Sequence, residues 1–123
     1  MKLAENFSLK EFACKDGTQV PDKFLPHVIE LAKNLQVLRD HIGETLHINS
    51  GYRTEAYNKK VGGKSASQHL VAKAADLTTK SKTPKQLAAI IEKLIAEGKM
   101  KQGGIGLYPG FVHYDIRGIK ARW

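Results

Sequence analysis

The sequence predicts an α+β fold in which a small antiparallel sheet of about four strands is covered by two main helices. Two long segments have helical periodicity, at residues 24–42 and 83–100. Four short segments are predicted to be strands, at residues 46–50, 73–79, 103–108 and 111–117, and the first of them alternates apolar and polar residues. A chain of 123 residues is expected to form one domain, over residues 1–123.

The two main helices carry start and stop signals. Pro26 suits the first turn of the first helix, and Gly43 is expected to end it. In the second, Thr83 is the expected N-cap, and Gln86 completes a capping box. The apolar stripes comprise Leu25, Val28, Leu31, Ala32, Leu35 and Leu38 in the first helix and Leu87, Ile90, Ile91, Leu94 and Ile95 in the second.

Shorter elements complete the predicted fold. Ser8 and Glu11 form a capping-box pair, which predicts a short helix within residues 5–13. Thr54 is expected to cap another short helix that runs to about Val61. A turn at residues 109–110 is expected to join the last two strands as a hairpin.

Composition limits the classes of partner and site. The net charge of +8 favours anionic partners, among them nucleic acid, cell-wall polymers and membrane surfaces. Aromatic residues make up 7% of the chain and the lysines are scattered, so no nucleic-acid-binding platform is predicted. Cys14 is the only cysteine, which excludes an intramolecular disulfide and a cysteine-based metal site.

The N-terminal segment has no continuous apolar run of the kind found in a signal peptide. No segment elsewhere has the apolar length of a transmembrane helix. We therefore expect synthesis in the cytoplasm without a leader, and no transmembrane segment.

Residues 65–76, SASQHLVAKAAD, contain the first candidate metal ligands. His69 and Asp76 lie seven residues apart, with small residues between them, and His113 lies far downstream in the run FVHYDIR. Two histidines and a carboxylate are a ligand set of catalytic zinc sites, which leave the fourth position open. The alternatives are a surface histidine at position 69 and a buried acid at position 76 that accepts backbone hydrogen bonds.

The last predicted strand has an unusual polar face. Phe111, His113, Asp115 and Arg117 share one side, whereas Val112, Tyr114 and Ile116 share the other. Buried charged groups need partners or a metal, so this face is a candidate site. The alternative, that this polar face is only solvated, stays open on the strand alone.

The runs SGYRTEAYNKKVGGKSASQHLVAKAAD and GGIGLYPGFVHYDIRG closely resemble the zinc peptidases that cleave peptidoglycan stem peptides. These are the D-alanyl-D-alanine carboxypeptidases and L-alanyl-D-glutamate endopeptidases, phage endolysins included, within the wider group of lysostaphin and the hedgehog domain. The resemblance covers nearly the whole chain. Its signature is a serine, a histidine two residues on, an aspartate seven further and a distant V-H-x-D strand.

The resemblance implies residue roles, position by position. It places the zinc ligands on His69, Asp76 and His113, and it places the arginine that contacts substrate and stabilises developing charge on Arg53. The serine before the first ligand falls on Ser67. The further candidates for binding the substrate peptide are Gln68, Tyr52 and Tyr108, each of which has a purely structural alternative.

Two departures from the family pattern affect the site. Ala72 stands where the family usually has glycine, which matters if the backbone there needs a positive φ. Gly110 stands where many members have an acidic general base, three residues before the last histidine. Asp115 is the substitute base expected here; the alternative is that Asp115 hydrogen-bonds a ligand histidine and fixes its tautomer.

The resemblance thus implies a zinc-dependent hydrolase of peptidoglycan stem peptides, acting as a carboxypeptidase or an endopeptidase on the cell wall. A monomer is expected, and the small size and missing leader favour a phage origin. The alternative function is a non-catalytic, zinc-containing module that binds the cell wall.

Overall fold

The computed structural model describes residues 1–123, which form three α-helices, three short 3-10 helices and seven strands in two sheets. The α-helices are α1 (Leu25–Ile42), α2 (Glu55–Lys60) and α3 (Pro84–Ala96). The strands are β1 (Lys2–Ala4), β2 (Phe7–Ser8), β3 (Leu46–Ser50), β4 (Ala74–Thr79), β5 (Gly104–Leu107), β6 (Val112–Asp115) and β7 (Ala121–Arg122). The predicted α+β class is confirmed.

The main sheet differs from the prediction in size and direction. It has five strands in the order β3-β4-β6-β5-β7, and β7 runs parallel to β5 whereas the other pairs are antiparallel. The expectation of about four antiparallel strands missed β7, because a strand of two residues carries no periodicity. Hydrogen bonds from Trp123 N to Ile105 O and from Leu107 N to Trp123 O extend this pairing to the last residue.

The N-terminal segment also differs from the prediction. β1 and β2 pair as a small antiparallel sheet that the sequence did not predict. The helix expected within residues 5–13 is a single 3-10 helix, Leu9–Phe12. Its capping box is the predicted one, since Ser8 N donates to Glu11 Oε1 at 2.9 Å.

The predicted bounds of α1 and the predicted start of α3 are confirmed, whereas α3 ends at Ala96, four residues before the predicted end. Gly43 ends α1 in a left-handed conformation, with φ of 68°. Thr83 Oγ1 accepts from Gln86 N, and Gln86 Oε1 accepts from Thr83 N, which closes the capping box of α3. No helix combines the length and apolar character that crossing a bilayer requires.

The main sheet has one face in the core and one face at the site. Alternation along β6 directs Val112 and Tyr114 into the core that includes α1 and α3, so His113 and Asp115 take the opposite face. The same alternation in β4 places Asp76 on the side of His113. The sheet therefore carries its polar side chains on the face that lies away from the two main helices.

Candidate metal centre

Asp76 and His113 are direct cross-strand neighbours on β4 and β6, two adjacent interior strands of the main sheet. His69 reaches them from a 3-10 helix, Gln68–Val71, that lies just before β4. One ligand atom from each of the three residues lies within 4.8 Å of the other two, and all three side chains are buried. The structure thus brings together the three predicted ligands.

Local backbone geometry places His69. Ser67 Oγ accepts from His69 N at 3.2 Å and caps the 3-10 helix. The helix ends at Ala72, which adopts a left-handed conformation with φ of 60° and is the only non-glycine residue with positive φ. This conformation disfavours any residue with a Cβ, so the alanine occupies a position that suits glycine.

A backbone carbonyl sets the orientation of the His69 ring. His69 Nδ1 lies 2.7 Å from Gly51 O, and a carbonyl only accepts, so Nδ1 carries the proton in the neutral ring. Nε2 is then the free nitrogen, and it lies 3.1 Å from Asp76 Oδ1. A Cβ on Gly51 would lie 2.8 Å from Phe12 Cα, so this close approach of two backbones requires glycine.

Asp115 sets the orientation of the other histidine. His113 Nε2 donates to Asp115 Oδ2 at 2.6 Å. His113 Nδ1, on the other edge of the ring, faces the cluster at 3.4 Å from Asp76 Oδ1. Asp115 therefore lies on the side of the ring away from the other two ligands.

Asp115 is fully buried, and both of its oxygens are engaged. Besides His113, it accepts hydrogen bonds from Gly104 N at 2.9 Å and from Arg117 through Nε at 2.8 Å and Nη2 at 2.7 Å. A Cβ on Gly104 would come within 2.3 Å of Asp115 Oδ2. Position 104 therefore lacks a side chain because the aspartate takes its space.

Arg53 supports the third ligand. Its Nη2 donates to Asp76 Oδ2 at 3.0 Å, while Nε donates to Ser50 Oγ and Nη1 donates to Asn58 Oδ1. Asp76 Oδ1 remains directed at the two histidines. The Arg53 side chain is 14% exposed, so the guanidinium is both fixed and accessible from the pocket above.

The electrostatics of the cluster favour an ionised Asp76. Burial raises the pKa of Asp76, but hydrogen bonds with His113 and His69 outweigh it and hold the pKa well below the usual range. Asp115 behaves likewise, because hydrogen bonds from His113 and Arg117 outweigh its burial and lower its pKa. Both carboxylates are thus charged at neutral pH, as a metal ligand and its supporting group require.

The cluster lies in a pocket of about 610 Å³. Of the predicted substrate-binding residues, Ser67, Gln68 and Tyr108 line this pocket. Tyr52 lines a neighbouring pocket of about 470 Å³, which shares Arg53, Ser67 and Gln68 with the first. The two pockets therefore adjoin at the segment that carries His69, and together they are termed the cleft.

Trp123 is a wall of the pocket that sequence reasoning did not single out. Its ring centroid lies 4.8 Å from that of His113, and Nε1 donates to Tyr108 Oη at 2.8 Å. A Cβ on Gly106 would lie 2.4 Å from Trp123 Nε1, so the indole lies directly on that glycine. The available signals were the single tryptophan and the glycines of GGIG, but their connection depends on the pairing of β5 with β7.

Gly110, the position of the missing acid, is exposed and lines a separate depression beside α3. Asp76 is the only acidic residue among the 17 that line the main pocket. No second carboxylate therefore faces the cluster from the pocket wall.

The donor chemistry fits zinc. Two neutral imidazoles, each donating the N–H of its other ring nitrogen to a fixed acceptor, and one ionised carboxylate are borderline and hard donors that zinc accepts. Residues 5–115 match the family model described as Peptidase M15. The chain belongs to this family. No curated protein matches the chain. Membership in the Peptidase M15 family supports a hydrolase that acts on peptides, and the His-Asp-His cluster suits the metal that these metallopeptidases use.

Proposed function

We propose that the chain is a zinc-dependent peptidase that hydrolyses amide bonds in peptidoglycan stem peptides, as a carboxypeptidase or an endopeptidase. The observation that carries the proposal is the convergence of His69 Nε2, Asp76 Oδ1 and His113 Nδ1 at one point of the pocket in a Peptidase M15 chain. The net charge of +8 suits an anionic cell-wall substrate.

His69, Asp76 and His113 would hold the zinc ion. Zinc supplies a Lewis acid, which polarises the scissile carbonyl and makes water a stronger nucleophile at neutral pH. Gly51 O and Asp115 each accept a hydrogen bond from one protonated ring nitrogen, so that the other nitrogen would present a lone pair to the metal. These two acceptors thereby set which tautomer is available before any metal arrives.

Arg53 has two tasks in this proposal. Its contact with Asp76 Oδ2 keeps that carboxylate from rotating, so that one oxygen faces the histidines. Because it lies on the pocket wall, its fixed positive charge would stabilise a carbonyl oxygen that gains negative charge. A preorganised donor of this kind stabilises the developing oxyanion without reorganisation.

We propose that Asp115 is a positioning residue and not the general base. Its burial, its contact with the far nitrogen of His113 and its pairing with Arg117 support the alternative in which it fixes a tautomer. A general base must lie within hydrogen-bond reach of the proton that it takes, directly or through one water. Both Asp115 oxygens are instead engaged in hydrogen bonds with His113, Gly104 and Arg117.

The residues proposed to bind the peptide line both halves of the cleft. Gln68 lies at the border of the two pockets, and Ser67 caps the turn that carries His69. Tyr108 Oη accepts from Trp123 Nε1, which leaves its own proton for an acceptor on the substrate. Tyr52 packs against Phe24, with ring centroids 6.1 Å apart, in the second pocket.

Mass analysis of digested stem peptides, with and without a chelator, tests the function. The expected result is release of a defined fragment that stops on chelation and returns when zinc is added back. His69→Ala should abolish cleavage, and His41→Ala, which changes an exposed histidine on α1, should not. Cleavage that continues in the chelated protein would contradict the proposal.

A second candidate function is a zinc-containing module that binds the cell wall without cleaving it. The lack of a second carboxylate on the pocket wall favours it. It predicts tight zinc binding and sedimentation with purified peptidoglycan, but no new amino groups after long incubation. Release of amino groups by the parent protein, and not by His69→Ala, would exclude it.

A further inference from the structure

The main pocket is strongly cationic. Arg53, Lys64, Arg117 and Arg122 all line it, and Asp76 is the only acid among its lining residues. Because like charges repel in such a confined space, an anionic group on the ligand would be favoured there.

Three of the four cations already have a carboxylate of the chain as a partner. The pairs are Arg53 with Asp76 at 3.0 Å, Arg117 with Asp115 at 2.7 Å and Arg122 with Glu92 at 2.7 Å. Lys64 takes part in none of the ion pairs of the chain, and its ammonium group makes no hydrogen bond. Lys64 is therefore the cation of the pocket with its charge free for a ligand.

The backbone of Lys64 is fixed, although its side chain is exposed. Asn58 Nδ2 donates to Lys64 O at 2.8 Å, and Asn58 is 3% exposed. Asn58 Oδ1 in turn accepts from Arg53 Nη1 at 3.2 Å. A buried amide thus ties the position of Lys64 to the arginine that holds Asp76.

The side chain of Lys64 is directed towards the pocket wall beside His113. Lys64 Nζ lies 5.9 Å from the Trp123 ring centroid, and that ring lies 4.8 Å from the ring of His113. A cation over an indole is attracted to its face, so Trp123 favours the conformation in which the ammonium group stays over the pocket.

We infer that Lys64, held over Trp123, binds a free carboxylate of the peptide substrate and selects peptides that carry this carboxylate near the scissile bond. The inference rests on the proposed function for the nature of the ligand. The carboxylate can come from the C-terminus of the peptide or from the side-chain or α-carboxyl group of a glutamate, and both present the same acceptor geometry to an ammonium group.

Three synthetic stem pentapeptides separate these sources: one with every carboxylate free, one amidated at the C-terminus and one amidated at its D-glutamate. Cleavage is followed by mass analysis for the parent, Lys64→Ala, Lys64→Arg and the control Lys60→Ala. Lys60 is an exposed lysine of α2 outside both pockets, so the control removes the same charge.

One charge-assisted contact at a partly exposed position should raise KM about tenfold when Lys64 becomes alanine, with kcat within about twofold. Lys64→Arg should keep a KM near that of the parent, and Lys60→Ala should change it little. Amidation at one of the two positions should raise the KM of the parent by the same factor as the Lys64→Ala substitution does. The same amidation should leave the KM of Lys64→Ala unchanged. An equal KM shift in Lys64→Ala and Lys60→Ala, or no preference of the parent between acid and amide, would overturn the inference.

Fluorescence provides a readout that does not need turnover. Trp123 is the only tryptophan, so its emission reports on this pocket alone. Titration with the free-acid peptide should change the emission of the parent at lower concentrations than that of Lys64→Ala, by the same factor of about ten.

A parent that shows this difference without cleaving any peptide would support the carboxylate site and contradict the proposed hydrolysis. If the parent cleaves peptides but the titrations of the parent and Lys64→Ala are identical, the result would support the proposed hydrolysis and contradict the carboxylate site.

Discussion

Asp115 Oδ2 accepts a hydrogen bond from His113 Nε2 at 2.6 Å, although the two residues lie on the same strand and only one residue separates them. Residues at this spacing point to the same face of a strand, so the carboxylate lies beside the ring that it orients. Arg117 continues the row and pairs with Asp115. A ligand and the two residues that support it are therefore encoded in five consecutive positions.

The first prediction concerns this row. Asp115→Asn should lower zinc affinity about 10- to 100-fold, because the amide orients His113 less strongly and leaves Arg117 without its charge partner. Chelator competition measures the affinity, and Asp22→Asn, an exposed aspartate outside the site, is the control. An unchanged zinc affinity, with activity lost, would indicate that Asp115 acts as the base instead.

The second prediction concerns the geometry of Arg53. Arg53→Lys keeps the charge but cannot contact Ser50, Asn58 and Asp76 at once. We expect kcat to fall on the order of 100-fold, as for the loss of one preorganised oxyanion donor. Steady-state kinetics on a stem peptide measure it, with Arg39→Lys on α1 as the control. A kcat within a factor of two of the parent would exclude both proposed tasks.

The third prediction concerns the left-handed residue at the end of the 3-10 helix. Ala72→Val should destabilise the fold by about 2 kcal/mol or more, since a β-branched residue resists positive φ and the site is closely packed. Ala72→Gly should change stability by less than about 1 kcal/mol, because relief of left-handed strain is offset by the entropy of glycine in the unfolded chain. Urea denaturation measures both.

Equal destabilisation by glycine and valine at position 72 would contradict this prediction, because it would show that volume and not conformation decides. The comparison thus separates the backbone effect from the loss of a buried methyl group.

The fourth prediction concerns the contact between Gly106 and Trp123. Gly106→Ala places a Cβ 2.4 Å from Trp123 Nε1, so the indole must move away from His113. We expect a red shift of the single tryptophan emission and a several-fold rise in KM, as the wall of the pocket is displaced. Gly110→Ala is the matched control, because a Cβ there has no neighbour within 4 Å. The same emission spectrum in both variants would contradict the contact.

The fifth prediction concerns acid stability away from the site. Hydrogen bonds from Ser81 and Thr79 lower the pKa of Glu44 from its ordinary value of 4.5 to about 2. A carboxyl with a lowered pKa stabilises the folded state above its unfolded pKa, and this stabilisation is lost as the pH falls towards the folded value. The Tm of the parent should therefore fall more steeply between pH 4.5 and pH 2 than that of Glu44→Gln.

Glu5→Gln, at an exposed glutamate of the N-terminal segment, is the control for this measurement. It should follow the parent throughout the titration. Parallel curves for the parent and Glu44→Gln would show that these hydrogen bonds contribute no stability.

The sequence predicted the elements whose signals are local. α1 begins and ends within about one residue of the predicted positions, and α3 begins at its predicted cap, because the glycine at position 43 and the capping box at Thr83 act on the nearest turns. The end of α3, at Ala96, lies four residues before the predicted end at residue 100. The clustering of His69, Asp76 and His113 was also predictable, since a strand places alternate residues on one face and the Ser67 to Asp76 segment has a recognisable spacing.

What the sequence did not predict depends on long-range pairing. β1, β2 and β7 have two or three residues each, too few for a period to be seen. The place of Trp123 follows from backbone hydrogen bonds to β5, which no local pattern encodes. The proposal that Asp115 is a positioning residue likewise depends on which ring nitrogen of His113 it contacts, and the sequence does not show this.

Two glycines of strand β5 leave room for residues of the site. Asp115 fills the space over Gly104, and Trp123 fills the space over Gly106. Any substitution at these two glycines therefore adds atoms where another residue already lies. Residues 61–68, by contrast, are exposed or half-exposed and border both halves of the cleft. A library that seeks a new peptide preference should vary that segment and leave the glycines of β5 untouched.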